Sequence, residues 1–261
     1  MTAITADRRV LDAVDAHPYP LAFATISGAH LYGFDSPDSD VDIRGSHILP
    51  VEEVIGLDPG PDTVERSYIL RGLEVDLVTH DIRKFATLLL KRNGYVLEQL
   101  LSPLVVASTP WFDDLRALAP GCLTRHHGHH YLGFAATQWA LFEKERPQRV
   151  KPLLYVYRVL LTGIHVVRTG EVVANLARLL DDRPDLSDVR ELLERKRSGS
   201  EQLTIDDADL DVQRSRYDRL VVELQDASAA SSLPERPSAR REIDSLIIRA
   251  RLEARASTVT G

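Results

Sequence analysis

The chain has almost no cysteine, no long apolar run and fewer basic than acidic residues. Cys122 is the single cysteine among 261 residues, which excludes an intramolecular disulfide framework and a cysteine-cluster zinc site. No apolar run approaches the ~18 residues that are needed to cross a bilayer. The N-terminal residues MTAITADRRVLDAVDAH also lack the apolar core of a signal peptide. We therefore expect a cytoplasmic enzyme or binding protein with no membrane segment.

The charge balance argues against a surface covered with phosphate contacts. Lys and Arg number 32, Asp and Glu number 39, and the net charge is −7 at pH 7. Affinity for nucleic acid usually comes from Lys and Arg gathered on one face. A local basic groove remains compatible with this balance. Acidic clusters that hold divalent metals would also make the sum negative.

Strand-forming patterns are confined to the first part of the chain. The predicted strands cover 21–26, 41–45 with a start at Asp40, 64–70 and 73–79, and the last two form a hairpin around Arg71-Gly72. Predicted helices cover 8–16, 82–93, 95–102, 111–118, 122–145, 151–169, 171–181, 185–197, 207–227 and 238–256. The sequence therefore predicts a small α/β or α+β domain over 1–110, followed by an all-helical domain over 111–261.

The segment SGAHLYGFDSPDSDVDIRG, residues 27–45, is rich in acidic residues. Asp40 and Asp42 are two apart on a predicted strand, so their carboxylates share a face and repel each other. A bound divalent cation relieves that repulsion, and Mg²⁺ is usually held by one or two carboxylates and substrate phosphates. Arg44 falls on the same face and is placed to meet a phosphate or a carboxylate.

Asp76 lies in the apolar run LEVDLVT, where an unpaired buried carboxylate is costly. If its strand lies beside the 40–45 strand, Asp76 completes a cluster of three carboxylates. Two metals ~4 Å apart could then clamp the attacking and leaving oxygens of an in-line displacement. Upstream, backbone amides at Ser27-Gly28 could cradle phosphates, and the glycine permits a close backbone approach.

Each of these features alone has an ordinary interpretation. An Asp-x-Asp pair is typical of a polar turn or a solvated strand face, and a glycine turn after a strand is common. The combination with a later aspartate in an apolar strand is far more specific.

The stretch GAHLYGFDSPDSDVDIRG resembles the DNA polymerase β-like nucleotidyltransferase superfamily, and especially the predicted nucleotidyltransferases associated with RNA ligase and RNA-repair operons. The family's pattern is a Gly-Ser turn, Tyr-Gly, then Ser-Asp-x-Asp-x-Arg-Gly, and this chain matches all of it except the serine of the turn. The resemblance implies an α+β fold with a mixed sheet and flanking helices. It also implies Asp40 and Asp42 as ligands of two Mg²⁺ ions, with Mn²⁺ as an alternative, and Asp76 as a ligand of the catalytic metal. The motif serine is Ala29 here, and Ser27 is its possible substitute in holding the triphosphate.

A polar stripe runs along the predicted helix 151–169. Lys151, Tyr155, Arg158 and Thr162 share one face, which is typical of a solvated surface. The alternative, favoured by the helical domain that the superfamily commonly places across the cleft, is that the first three bind the nucleotide and its phosphates.

Three other features have competing interpretations. The run HHGHH, residues 126–130, is compatible with a transition-metal site, with the start of a long helix or with incidental surface histidines. Glu98, in an apolar helix, is either structural or catalytic. The last helix region contains arginines that would form an RNA-facing surface or an ordinary salt-bridged helix: Arg236, Arg240, Arg241, Arg249, Arg251 and Arg255.

The leading hypothesis is a Mg²⁺-dependent transfer of a nucleoside monophosphate from a nucleoside triphosphate to an acceptor hydroxyl, with release of pyrophosphate. The family context suggests an RNA end as acceptor and an RNA ligase as operon partner. A protein or a small molecule is an alternative acceptor. A non-catalytic nucleotide-binding module, which Ala29 favours, and a metal-dependent phosphohydrolase are the rival classes.

Overall fold

The computed structural model describes residues 3–37, 39–198, 204–205 and 210–259, and the side chains of residue 3 and of 254–259 are not described. The fold divides into two compact units. The first comprises the described residues of Met1–Gly28, Asp40–Cys122 and Arg236–Gly261, and the second those of Ala29–Ser39 and Leu123–Glu235. Each unit thus draws on segments from both sides of residue 110. The predicted domain division at that residue stays a prediction.

The first unit contains a five-stranded sheet within the described residues. Its strands are β1 (Leu21–Ile26), β2 (Val41–His47), β3 (Thr63–Leu70), β4 (Leu73–Asp81) and β5 (Val105–Ser108). Their order is β3-β4-β2-β1-β5. Strands β2 and β4 are parallel, and the other neighbouring pairs are antiparallel. The prediction of an α+β fold with a mixed sheet is confirmed.

One face of this sheet forms an apolar core with helix α1 (Arg8–Asp15). The side chain of Asp7 caps α1 by accepting a hydrogen bond from the Arg9 amide at 2.9 Å. The core residues share one side of the adjacent strands β4, β2 and β1 and pack on α1: Ala24, Ile26, Val41, Ile43, Val75 and Leu77, with Val10, Ala13 and Val14 of α1. Because strand side chains alternate, the intervening polar residues lie on the opposite face.

The opposite face packs against helices α4 (Ile82–Leu90), α5 (Gly94–Leu100) and α6 (Pro110–Leu118). The ring of Phe23 lies 5.2 Å from that of Phe85 and 4.9 Å from that of Phe112. The unit also contains α3 (Glu52–Ile55) and α12 (Arg240–Val259). The short helix α2 (Gly28–Tyr32) starts at the junction of the two units. The polar face of the sheet is therefore flanked by helices rather than wholly open.

A two-residue turn joins β3 to β4, as the sequence predicted. Arg71 and Gly72 both have positive φ, 50° and 80°, which suits the right-handed twist of a tight hairpin. The turn fixes the register, so that Ser67 lies opposite Asp76.

Helices make up most of the second unit: α7 (His127–Lys144), α8 (Val150–Thr169), α9 (Leu176–Leu179), α10 (Ser187–Ser198) and α11 (Leu210–Ala230). Helix α8 packs against α7, α9, α10 and α11. By length and composition alone, α8 is apolar enough to cross a membrane, but 78% of its apolar stretch is buried inside the protein. Burial in the core accounts for its apolar composition.

Some elements differ from the prediction. The edge strand β5 and the helix α3 were not predicted, because each has only four residues. The predicted helix 171–181 shortens to α9, which begins after the Asn175 cap. Strand β2 begins at Val41, one residue after Asp40. Residues 207–209 of the predicted helix 207–227 lie outside the described residues.

Candidate active site

Two of the predicted aspartates lie directly opposite each other on adjacent parallel strands. Asp42 in β2 and Asp76 in β4 are register partners. Each aspartate lies between two buried apolar residues of its strand. Because strand side chains alternate, both carboxylates lie on the polar face of the sheet. Their side chains are 21% and 37% exposed. A pair of carboxylates is thus held side by side, within reach of solvent.

Arg44 contacts both carboxylates at once. Its Nη2 lies 2.5 Å from Oδ1 of Asp42 and 3.0 Å from Oδ2 of Asp76. Its Nη1 donates to the Asp76 carbonyl at 2.7 Å, and its Nε donates to the Tyr95 hydroxyl at 3.1 Å. Burial opposes the charge, but Tyr95 and Asp42 hold the pKa of Arg44 above its ordinary value. The guanidinium therefore stays charged and offsets the repulsion between the carboxylates.

Ser67 and Tyr95 complete this arrangement, and sequence reasoning did not single them out. The Ser67 hydroxyl donates to Oδ1 of Asp76 at 3.1 Å, and Tyr95 in α5 holds Arg44. The hairpin register contains the signal for Ser67, because a two-residue turn at 71–72 pairs residue 67 with residue 76. Tyr95 gave no such signal, since its contact depends on how α5 packs on the sheet.

The Gly28 backbone lies against the Asp42 carboxylate. A Cβ built at Gly28 would lie 1.9 Å from Oδ2 of Asp42, and the residue has a φ of 60°. Only glycine fits both the space and the backbone conformation. The preceding Ser27 is fully buried, and its amide donates to the Asp42 carbonyl at 2.8 Å. Among the described residues, the Ser27 hydroxyl has no hydrogen-bond partner.

The carboxylates of Asp42 and Asp76 have the chemistry that would suit a divalent cation. One positively charged nitrogen of Arg44 reaches both carboxylates, so the pair already shares one positive charge. Carboxylate oxygens, completed by substrate phosphates, are the ligands that Mg²⁺ usually has in proteins. Asp40 is half-buried and immediately precedes β2. Within the described part of the chain, no three or more of Asp, Glu, His and Cys come together as a metal site, and the cluster of three aspartates stays a prediction.

The predicted nucleotide-binding residues of α8 belong to the second unit. Arg158 is fully buried, with its guanidinium 3.9 Å from the centre of the Tyr32 ring. The ring of Tyr155 packs against those of Tyr32 and Phe34, at 5.5 and 5.1 Å. Lys151 is half-buried in the first turn. The solvated-face interpretation is therefore wrong at Arg158, and nucleotide binding by these residues stays a prediction.

The remaining candidates are the histidine run and Glu98, which the structure places at or in the helices α7 and α5. The histidine run begins α7, where His127 is buried and His126 stacks on His129 with ring centres 5.6 Å apart. Burial lowers the pKa of His130, and Arg158 lowers it further. Glu98 is buried in α5. None of these residues belongs to a three-ligand metal group within the described residues.

Paired aspartates on adjacent strands of a mixed sheet, beside a glycine turn, are the features of a DNA polymerase β-like nucleotidyltransferase. A sequence model of RlaP, the RNA repair pathway DNA polymerase beta family, matches residues 3–249. The chain belongs to this family, which confirms the resemblance seen in its motif.

Two curated relatives are uncharacterized proteins. One, from Methanocaldococcus jannaschii, is 36% identical over 161 residues, which cover 61% of this chain and 66% of that protein, just under two thirds. YcgL of Bacillus subtilis is 25% identical over 205 residues, covering 74% of this chain and 78% of that protein. Among solved structures, a nucleotidyltransferase-like protein from Exiguobacterium sibiricum matches 85% of this chain and 73% of its own, with 16% identity and a TM-score of 0.34.

Proposed function

We propose that the protein transfers a nucleoside monophosphate from a nucleoside triphosphate to a hydroxyl of an RNA end and releases pyrophosphate, with Mg²⁺ as cofactor. The observation that carries the proposal is the opposed pair Asp42 and Asp76, bridged by one positive group. Membership of an RNA-repair family supports both the reaction class and the acceptor.

Asp42 and Asp76 would hold the cation, with Asp40 as the further ligand that the family motif suggests. Mn²⁺ is the alternative metal. When bound, the metal would neutralise phosphate oxygens and stabilise the charge that develops on the attacking and leaving oxygens. The bound cation would offset the repulsion between the two carboxylates, which Arg44 offsets in its absence. Arg44 would then be free to turn its charge toward a phosphate.

The chain's own residues account for the positioning of the reactants. Ser67 and the strand register fix the direction of the Asp76 carboxylate, which would accept the proton of the acceptor hydroxyl. The acceptor oxygen would attack the α-phosphorus as the bond to the bridging oxygen breaks and pyrophosphate leaves. The turn at Ser27-Gly28 would lie against the phosphates, because no side chain separates its backbone from Asp42. Such positioning supplies most of the rate enhancement in reactions of this kind.

The acceptor defines the alternatives. The net charge of −7 disfavours a long RNA footprint, and Ala29 in place of the motif serine favours a nucleotide-binding module without catalysis. A protein or small-molecule acceptor needs the same carboxylates. We also propose that the protein acts in the cytoplasm with an RNA ligase as partner, which rests on the operon association of the resembling branch.

Product analysis tests the proposal. The protein is incubated with each nucleoside triphosphate, labelled at the α-phosphate, with Mg²⁺ or Mn²⁺, and with defined RNA ends, total RNA or no RNA. We expect label on RNA and release of pyrophosphate. Label on the protein itself would redirect the proposal to protein modification, and release of inorganic phosphate alone would indicate a phosphohydrolase. Nucleotide binding without any transfer would favour the non-catalytic module.

A further inference from the structure

Three arginines line one groove on the first unit. Arg83 of α4 and Arg240 and Arg241 of α12 border a cavity of about 380 Å³ between the two helices. Asp244 is the one acidic residue among its lining residues. The groove is therefore positively charged, although the chain as a whole has a net charge of −7.

These arginines are exposed and make no ion pair within the described residues. Asp244 can offset only one of the three charges, and two further acidic residues beside Arg83 are already paired. Asp81 lies 2.6 Å from Nη2 of Arg251, and Asp62 lies 2.9 Å from Nζ of Lys84. Further along α12, Arg249 pairs with Asp114 at 3.3 Å. The middle of α12 is thus salt-bridged, whereas its beginning has unpaired positive charge. The side chain of Arg255 is not described.

Helix stability does not explain the position of these cations. Arg83 lies in the first turn of α4, and Arg240 and Arg241 lie in the first turn of α12. The positive end of a helix dipole is at its N-terminus, so cations there are unfavourable. The Asp81 carboxylate already caps the N-terminus of α4, so the three guanidinium groups of the groove are what would bind a further anion.

Charged side chains continue along α4 beyond the groove. A neighbouring cavity of about 450 Å³ shares Arg83 and Thr87 with the groove, and its other charged lining residues are the cations Lys84, Lys91 and Arg251 and the acids Glu53, Asp62 and Asp81. Lys91 is exposed, follows the last residue of α4 and makes no ion pair within the described residues. A few residues later, Tyr95 of α5 contacts Arg44. Helices α4 and α5 therefore connect the groove with the polar face that holds Asp42 and Asp76.

We infer that the α4–α12 groove binds the sugar-phosphate backbone of the RNA acceptor; this inference rests on the proposed function and names the surface that holds its substrate. Contacts with phosphates fix the position of a strand and carry no base preference. A local groove of this kind also explains how an acidic protein can bind RNA.

Binding of a fluorescein-labelled single-stranded RNA, measured by anisotropy between ~50 and ~200 mM salt, tests the inference. The test variant combines Arg83→Gln, Arg240→Gln and Arg241→Gln. The matched control combines Arg8→Gln, Arg190→Gln and Arg219→Gln, which remove three surface cations that are already salt-bridged. Since each phosphate contact contributes ~0.7 to the salt slope, we expect the test variant to lose about 2 from that slope, for every RNA sequence. The control should match the wild type.

Thermal unfolding gives a second readout. Because the three arginines oppose the helix dipoles, the test variant should melt no lower than the wild type. A lowered melting temperature, or a salt slope equal to that of the control, would overturn the inference. The inference would also fail if the wild-type protein binds no RNA. It would fail as well if polyglutamate displaces the labelled RNA as effectively as unlabelled RNA does.

The inference and the proposed function can fail separately. If the test variant transfers label to RNA with an unchanged KM for RNA, the groove has no role while the transferase activity stands. If RNA binds in the groove but neither the wild type nor any variant transfers label, the transferase proposal fails and the groove stands.

Discussion

Among single residues, Gly28 shows how little space surrounds the aspartate pair. The Asp42 carboxylate is bordered by Arg44 on one side and by the Gly28 backbone on the other. The motif was recognisable in the sequence, and so was the close backbone approach that its glycine permits. The bridging role of Arg44 was only partly predictable, because the sequence left a phosphate and a carboxylate equally open as its partner.

Gly28→Ala should disrupt the site. The new Cβ would overlap Oδ2 of Asp42, and alanine also disfavours a φ of 60° by about 1–2 kcal/mol. We expect at least a tenfold loss of label transfer, together with lower stability. Steady-state transfer and urea unfolding measure the two effects.

Gly72→Ala is the matched control for this substitution. Gly72 has a φ of 80° and no atom within 4 Å of its Cβ position, so it takes the same backbone penalty without the overlap. The control should lose stability but keep its transfer rate. Equal transfer rates for the two variants would show that the close approach of the Gly28 backbone to Asp42 does not matter to the site.

Among the secondary-structure elements, those with long patterns were predictable and those defined by tertiary packing were not. The β3–β4 hairpin and α8 follow from turn residues and apolar content. Strand β5 has four residues and pairs only at the sheet edge beside β1, so its sequence alone does not distinguish it from a loop. The assignment of α12 to the same unit as the sheet depends on contacts far apart in the chain.

Arg251 should be the main polar anchor of α12. Its guanidinium donates to Asp81 at 2.6 Å and to the Leu49 carbonyl at 2.9 Å, and the Arg251 and Asp81 side chains are only 10% and 4% exposed. Arg251→Met leaves a buried carboxylate unpaired, so we expect a loss of about 3 kcal/mol in the free energy of unfolding.

The exposed pair of Arg249 and Asp114 provides the comparison. Its side chains are 57% and 47% exposed, and Arg249→Met should cost no more than about 1 kcal/mol. Denaturant unfolding of both variants checks the difference. Similar losses would mean that Arg251 is not the anchor.

For the whole molecule, we expect stability to fall with acid. His47 is fully buried, and burial together with His17 lowers its pKa from the ordinary 6.5 to about 4. The unfolded chain therefore binds the proton first as the pH falls. The contribution of neutral His47 is complete above pH 6.5 and is lost progressively toward pH 4. His17 and His80, whose pKa values burial also lowers, act in the same direction.

Melting temperatures across this pH range measure the effect, and His47→Gln should reduce the slope. An NMR titration of the His47 ring provides an independent check. Protonation of that ring near its ordinary pKa would contradict the account.

The most direct test of the central claim is the rate at which Asp42→Asn and Asp76→Asn variants transfer label from an α-labelled nucleoside triphosphate. Asp12→Asn is the control, at a half-buried aspartate of α1 that pairs with Arg8. We predict that each site variant keeps its circular dichroism spectrum and loses at least about 10²–10³-fold of the transfer rate, while the control keeps it. A folded Asp42→Asn protein that transfers label at the wild-type rate would contradict the account.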